Sequence, residues 1–491
     1  MSEPPKKKRK PISTTVYASI RAWIILNYES SKGSFTLVDD ALFHIKEDKE
    51  NIGDTAVSQC ILTKAFLDVF EGRTKCARVG RDKNRVRGYP DVKRKLLSPK
   101  EDVEMVVKDG KHRLVGFVDL GKIHDDMQTL SGASEEPKLA SHVLQFIFLG
   151  DSGFRFPIAQ FPSSSCTASG LQFIFWNGVK KMLETGFTIY YCILDGAEVN
   201  RQFIKIHFTD ENEAINNRFI CPNPYNYSCP MVFLMDPKHN FKKLRNNILK
   251  SVIDGSSTRC LTIGTNHILW EHFRNAFNYD QGSFSMSFNE KLTAEHFDLT
   301  PASKMRNHLV EDVLDKKMLS LMKAYKDHLR NKPGQNENSL DATIALLNHS
   351  SKMVQLFNDK YTLSSVTDSR LKELRQFLKF IDDWKCSTEG DAKKFISPKL
   401  YFDLQSMVHG FQAIVSIKTM FHQSAIVKPG IINQDVVENH FCQIRACNGQ
   451  NNNPTWRLQE ATQNTIRYGQ TTISRKSNAG ALSLKGANQR K

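Results

Sequence analysis

Two short apolar runs in this chain each end on an aspartate followed by a turn residue: Leu114-Val115-Gly116-Phe117-Val118-Asp119-Leu120-Gly121 and Tyr190-Tyr191-Cys192-Ile193-Leu194-Asp195-Gly196. A strand buried on both faces reads as a continuous hydrophobic run. A carboxylate at its carboxyl end lies where open α/β sheets place chemistry. A third acid, Glu438, sits far downstream in Gln434-Asp435-Val436-Val437-Glu438-Asn439-His440-Phe441. Three acids on two strands and a late helix point to a magnesium site, because hard Mg²⁺ takes oxygen ligands.

The segments between these acids fix their topology. Strands are expected at Arg113 to Leu120, Ser141 to Leu149 and Arg155 to Phe161, with residues 122 to 138 as loop. A helix follows over Ala168 to Thr185, then a strand at Thr188 to Leu194. A fifth strand, Met231 to Met235, leads through Asp236-Pro237 into a helix carrying Phe241, Leu244, Ile248 and Leu249. That order is the RNase H-like fold, whose first and fourth strands lie side by side, so Asp119 and Asp195 should meet and Glu438 should join them. Carboxylates so close repel at low dielectric, and two divalent ions would relieve this while activating a water or a 3′-hydroxyl against a phosphodiester. Each acid also has a plainer reading. An Asp-Gly after a strand is commonly just a turn, Asp435-x-x-Glu438 suits a solvated helix face, and Asp236-Pro237 suits a helix cap.

Charge supplies the partner. The formal net charge of +16 favours a polyanion, and no stretch approaches the roughly 20 apolar residues of a membrane span. The ten cysteines are scattered, without a Cys-x-x-Cys pair, which fits a reduced compartment. The run Lys6, Lys7, Lys8, Arg9 and Lys10 reads as a nuclear import signal or as a basic arm on nucleic acid, so the nucleus is the expected location. Beyond it, helical patterns at Val16 to Tyr28, Asp39 to Ile45 and Thr55 to Phe70 precede a basic stretch, Arg73 to Lys95, broken by the turn-prone Asp82-Lys83-Asn84. Three helices and a basic hairpin make a winged helix, the alternative being a solvated basic linker. Trp23-Ile24-Ile25-Leu26-Asn27-Tyr28-Glu29, Leu62 to Phe70, Arg73-Thr74-Lys75 and Arg78-Val79-Gly80 resemble the DNA-binding domain of RFX transcription factors over residues 15 to 96. The resemblance implies that Arg78, Arg81, Lys83, Arg85 and Arg87 contact double-stranded DNA; the family's tyrosine-rich wing ending is reduced to Tyr89.

The rest of the chain has a resemblance of its own. Val118-Asp119-Leu120-Gly121, Leu194-Asp195-Gly196-Ala197, Asp236 to Asn247, and Val437-Glu438-Asn439-His440-Phe441 with Arg445, Gly449 and Asn453-Pro454-Thr455 are similar to P element transposases and their THAP-type relatives. The resemblance implies that Asp119, Asp195 and Glu438 are the catalytic triad holding two Mg²⁺, that copies assemble on DNA, and that a helical insertion binding GTP splits the core. Helical patterns at Lys304 to Lys323, Asn338 to Phe357, Asp368 to Asp383 and Lys399 to Phe421 fit that insertion. The guanine-reading stretch would fall at Phe357-Asn358-Asp359-Lys360-Tyr361, where the Asp is displaced and the Asn replaced, which argues against GTP. No THAP zinc module precedes the core, and only about fifty residues follow Glu438 where the family carries a longer region.

The expected fold class is multi-domain α/β plus α: a basic tail (1–14), a winged helix (15–96), an RNase H-like core (97–254), an all-α insertion (255–430), the last core helices (431–473) and a disordered tail (474–491). The function expected is Mg²⁺-dependent DNA strand cleavage and transfer. Two alternatives stand beside it: a non-catalytic DNA-binding regulator that keeps the core as scaffold, and a ribonuclease H-type nuclease.

Overall fold

A computed structural model of the chain describes residues 104–469, except 109–110, 116, 122–124, 127–137, 152–153, 165, 284–286, 423–424 and 450–453. The winged helix expected at 15–96, the import run and the 474–491 tail lie outside the described residues.

The core begins with two hairpins, β1 (Glu104–Lys108) with β2 (Lys111–Val115), and β3 (His142–Leu149) with β4 (Arg155–Ser163). The second has a register shift between Phe146 and Ile147, whose partners step from Ala159 to Pro157; proline cannot donate to a ladder, and bulges are where sheets tolerate it. Helix α1 (Ala168–Glu184) starts where Thr167 Oγ1 accepts the Gly170 N–H at 3.1 Å. Its residues Leu171, Phe175 and Val179 make one apolar stripe that is buried. Then come β5 (Tyr191–Leu194), α2 (Glu198–Lys205), α3 (Glu211–Asn216), β6 (Ile220–Cys221), β7 (Met231–Met235) and α4 (Pro237–Leu249). Strand β7 lies between β5, to which it is parallel, and β6, to which it is antiparallel.

All five residues of β7 are buried, as the unbroken run Met-Val-Phe-Leu-Met requires. Alternation divides them between two cores. Met231, Phe233 and Met235 pack with Leu171, Phe175 and Phe203 of α1 and α2, whereas Val232 and Leu234 pack with Phe241, Leu244 and Ile248 of α4 and with the following helices.

Those helices are α5 (Trp270–Ser283), α6 (Asn307–Leu314), α7 (Lys316–Arg330), α8 (Asp341–Phe357), α9 (Ser369–Ser387) and α10 (Pro398–Phe421), preceded by a two-residue hairpin of β8 (Thr262–Ile263) and β9 (Asn266–His267). The four helical patterns expected from the sequence fall on α6 to α10 and miss α5 and the hairpin. The single helix expected over Lys304 to Lys323 is divided, because Asp315 accepts the Met318 N–H at 2.9 Å and caps a new helix, α7. Two helices close the described chain, α11 (Asp435–Cys447) and α12 (Trp456–Gly469).

Helix α10 is wedded to the sheet. Strand β6 pairs with β7 only as far as Val232; beyond it, Ser406 Oγ donates to Phe233 O and accepts from Met235 N, both at 3.2 Å. Gly410, one turn on, comes so close that a Cβ there would stand 2.8 Å from Phe233 O. Helix α10 thus takes up backbone groups that β6 leaves free.

Candidate active site

The expected strand Arg113 to Leu120 does not run through to its aspartate. β2 ends at Val115, and Phe117 bridges to Leu139. The Val118 N–H then goes to Lys138 O at 2.8 Å and the Asp119 N–H to Pro162 O at 3.0 Å. With its donors taken by the ends of the β3–β4 hairpin, this segment forms no ladder with β5 among the described residues, so the side-by-side pairing expected of the first and fourth strands is corrected there. Asp119 is exposed, and its Oδ1 accepts the Gly121 N–H at 2.9 Å. Gly121 has φ +86°, the left-handed conformation that this turn needs and that glycine adopts freely.

Asp195 follows β5 directly. Its Oδ1 accepts from Ala197 N at 2.9 Å and from Asn200 Nδ2 at 2.7 Å, so the side chain braces the start of α2. Asp236 ends the neighbouring β7, its N–H bonded to Leu194 O at 2.9 Å. Its carboxylate caps α4, accepting the Lys238 N–H at 3.1 Å and the His239 Nδ1–H. Burial would raise this carboxyl's pKa, but His239, Lys242 and the Lys238 amide outweigh that and hold it low. The cap reading of Asp236 is therefore the one observed.

Glu438 stands in the first turns of α11. Gln434 Nε2 reaches Ile193 O at 3.4 Å, which sets the start of this helix against the carboxyl end of the strand leading to Asp195. Glu438 Oε1 lies 3.7 Å from Lys242 Nζ and 4.0 Å from His239 Nε2, and its Oε2 is buried without a hydrogen-bond partner. Beside it Asp435, expected on the same face, binds Lys238 Nζ at 2.5 Å, and Glu311 lies 3.9 Å from that ammonium. Lys238, His239 and Lys242 share one side of α4 at i, i+1 and i+4. That spacing in Asp236-Pro237-Lys238-His239-Asn240-Phe241-Lys242 was the available sign that cations, as well as acids, converge here.

The donor chemistry of Asp119, Asp195 and Glu438 suits a hard divalent ion, but their arrangement does not. No group of three or more His, Cys, Asp or Glu able to hold a metal ion occurs among the described residues. Asp119 and Asp195 are engaged by their own turns, and cations from α4 face Glu438. The expected three-acid metal centre is thus not assembled in this arrangement. In the stretch considered for guanine, Asp359 Oδ2 is bound to Arg370 Nη1 at 2.8 Å and Asn358 Nδ2 to Val354 O at 3.1 Å, both holding the turn after α8.

The cluster has a pH signature. Burial, together with the Asp236 and Glu438 carboxylates, pushes Asp435 up to about 6 against the pull of Lys238. A carboxyl whose pKa is raised by folding lends stability at acid pH that disappears as pH rises through the folded-state value. The stability of the parent chain relative to Asp435→Asn should accordingly decline between pH 4 and pH 7, as urea melts at several pH values would record. An opposite slope would mean that the Lys238 pair dominates.

Residues 103–207 match the family model described as TNP-like, RNase H N-terminal domain, and residues 431–459 match that described as TNP-like, RNase H C-terminal domain. Asp119 and Asp195 fall in the first segment and Glu438 in the second. No curated protein matches the chain. Among solved structures, the Drosophila P element transposase strand transfer complex is similar over 95% of this chain and 94% of that chain, with a TM-score of 0.57 and 12% identity. At that identity the likeness is one of fold: an RNase H-like transposase architecture, mixed α/β and rich in helix.

Proposed function

We propose that this chain is a transposase-like protein that binds double-stranded DNA and cuts and transfers strands in Mg²⁺, with Asp119, Asp195 and Glu438 as the acids of its cleavage site. The observation that carries this is the return of α11, after the whole insertion, to the carboxyl end of β5 through Gln434 and Ile193. A helix bearing the third acid thereby adjoins the strand that ends on the second. Bringing all three acids to one point requires Glu438 to leave Lys242 and His239, a rearrangement we assign to the DNA-bound assembly of several copies. The winged helix at 15–96, with Arg78, Arg81, Lys83, Arg85 and Arg87, would locate the DNA, and Lys6 to Lys10 would direct the chain to the nucleus.

A second reading, a DNA-binding regulator on a transposase scaffold, is favoured by one observation: Glu438 already has protein cations beside it. The full chain incubated with supercoiled plasmid in Mg²⁺ and in EDTA separates the two. Nicking that needs Mg²⁺ supports the enzyme, whereas retained plasmid with no nicks supports the regulator. Preference for an RNA–DNA hybrid over duplex DNA would instead point to a ribonuclease H-type activity.

A further inference from the structure

Gly196 follows Asp195, and the reason for a glycine there is unusual. Its φ is not positive, unlike that of Gly121. A Cβ at Gly196 would instead lie 1.3 Å from Lys243 Nζ and 2.9 Å from Asp403 Oδ2. The glycine makes room for a buried ionic clamp. Asp403, on α10, is fully buried and receives Arg201 Nε and Nη2 of α2, each at 2.8 Å, and Lys243 Nζ of α4 at 2.7 Å. The same two cations then converge on Gly196 O, Arg201 Nη2 at 2.7 Å and Lys243 Nζ at 3.1 Å. Asp403 therefore holds both donors that fix the Gly196–Ala197 peptide, one residue past Asp195, with Glu198 Oε2 adding a contact to Arg201 Nη1 at 3.2 Å.

We infer that Asp403 is a positioning residue for Asp195, by which the helical insertion sets the turn that aims this carboxylate; the inference rests on the reading of Asp195 as a cleavage acid. Contacts from two cations to a carboxylate that is itself fully buried are worth far more than the same contacts at a surface. With both anchored on one carbonyl, the Asp195-Gly196-Ala197 turn has little freedom to rotate. The Asp403 carboxylate is bound to Arg201 and Lys243, so its action on Asp195 runs through the turn those two cations hold.

The test compares Asp403→Asn with Lys243→Met and Arg201→Met in the full chain; Lys243→Met leaves the two-pronged Arg201–Asp403 pair in place should Asp403→Asn fail to fold. Amide hydrogen exchange is followed over residues 192–200, with α8 and α9 as internal reference, alongside single-turnover plasmid nicking and DNA affinity. Exchange in the turn should speed up by about tenfold or more with the reference helices unchanged. Nicking should slow by about ten- to a hundredfold at unchanged DNA affinity, the loss expected when a reacting group is misplaced by an ångström or so. Unchanged exchange at 192–200 in a folded Asp403→Asn, or in both Lys243→Met and Arg201→Met, would overturn the inference. Faster exchange in a chain whose parent never nicks DNA would leave the clamp standing and remove the cleavage reading.

Discussion

The Asp195→Asn chain is expected to fold and bind DNA like its parent and to nick it about a thousandfold more slowly, the several kcal/mol that a lost charge costs at a phosphoryl-transfer centre. Asparagine is the informative replacement. Asp195 accepts hydrogen bonds from Ala197 N and Asn200 Nδ2, and an amide oxygen can accept them too, so the start of α2 keeps its brace. Alanine would remove brace and charge together. If the aspartate were only a turn former, Asp195→Asn would be silent in every assay. Plasmid nicking under single-turnover conditions, with melting temperature and DNA affinity measured on the same preparation, decides between the two.

Gly410→Val should be a strongly destabilising change in α10. The added Cβ would meet Phe233 O at 2.8 Å and Leu234 Cδ1 at 3.1 Å, one a backbone atom in a strand buried on both faces. Neither α10 nor β7 can step aside cheaply, and overpacking of this kind costs about 3 kcal/mol. Shifting the helix would also pull Ser406 from Phe233 O and Met235 N, leaving buried backbone groups unmet. Gly178→Ala provides the contrast: it lies within α1 with open space where the methyl would go, so it should stabilise by about 0.5 to 1 kcal/mol. Urea denaturation of the two variants should move in opposite directions; a neutral Gly410→Val would refute the tight seat of α10 on β7.

Elements whose cause is local were legible in the sequence. The apolar runs gave β5 and β7, the 3.6-residue stripe of Leu171, Phe175 and Val179 gave α1, and Asp236-Pro237 announced the start of α4. Aspartates at the ends of apolar runs also marked where the fold turns. What could not be read was which neighbour each group would choose. Nothing near Asp119 says that its amide will bond Pro162 rather than a residue on β5. Likewise, Gly196 reads as a turn glycine until Asp403, more than two hundred residues away, is seen drawing Lys243 across it. The cations facing Glu438 were visible as a spacing in α4, but their direction depends on how α11 docks. Contacts far apart in the chain are set by packing, which local patterns do not encode.

The seat of α10 on β7 also limits how such a chain can shorten. The exposed turn between α7 and α8 could be trimmed at little cost. Excising α10 would strip β7 of the hydroxyl that caps Phe233 O and Met235 N. The bared strand edge would then be free to recruit strands from other molecules. Loss of α10 would thus bring an aggregation hazard independent of the three acids.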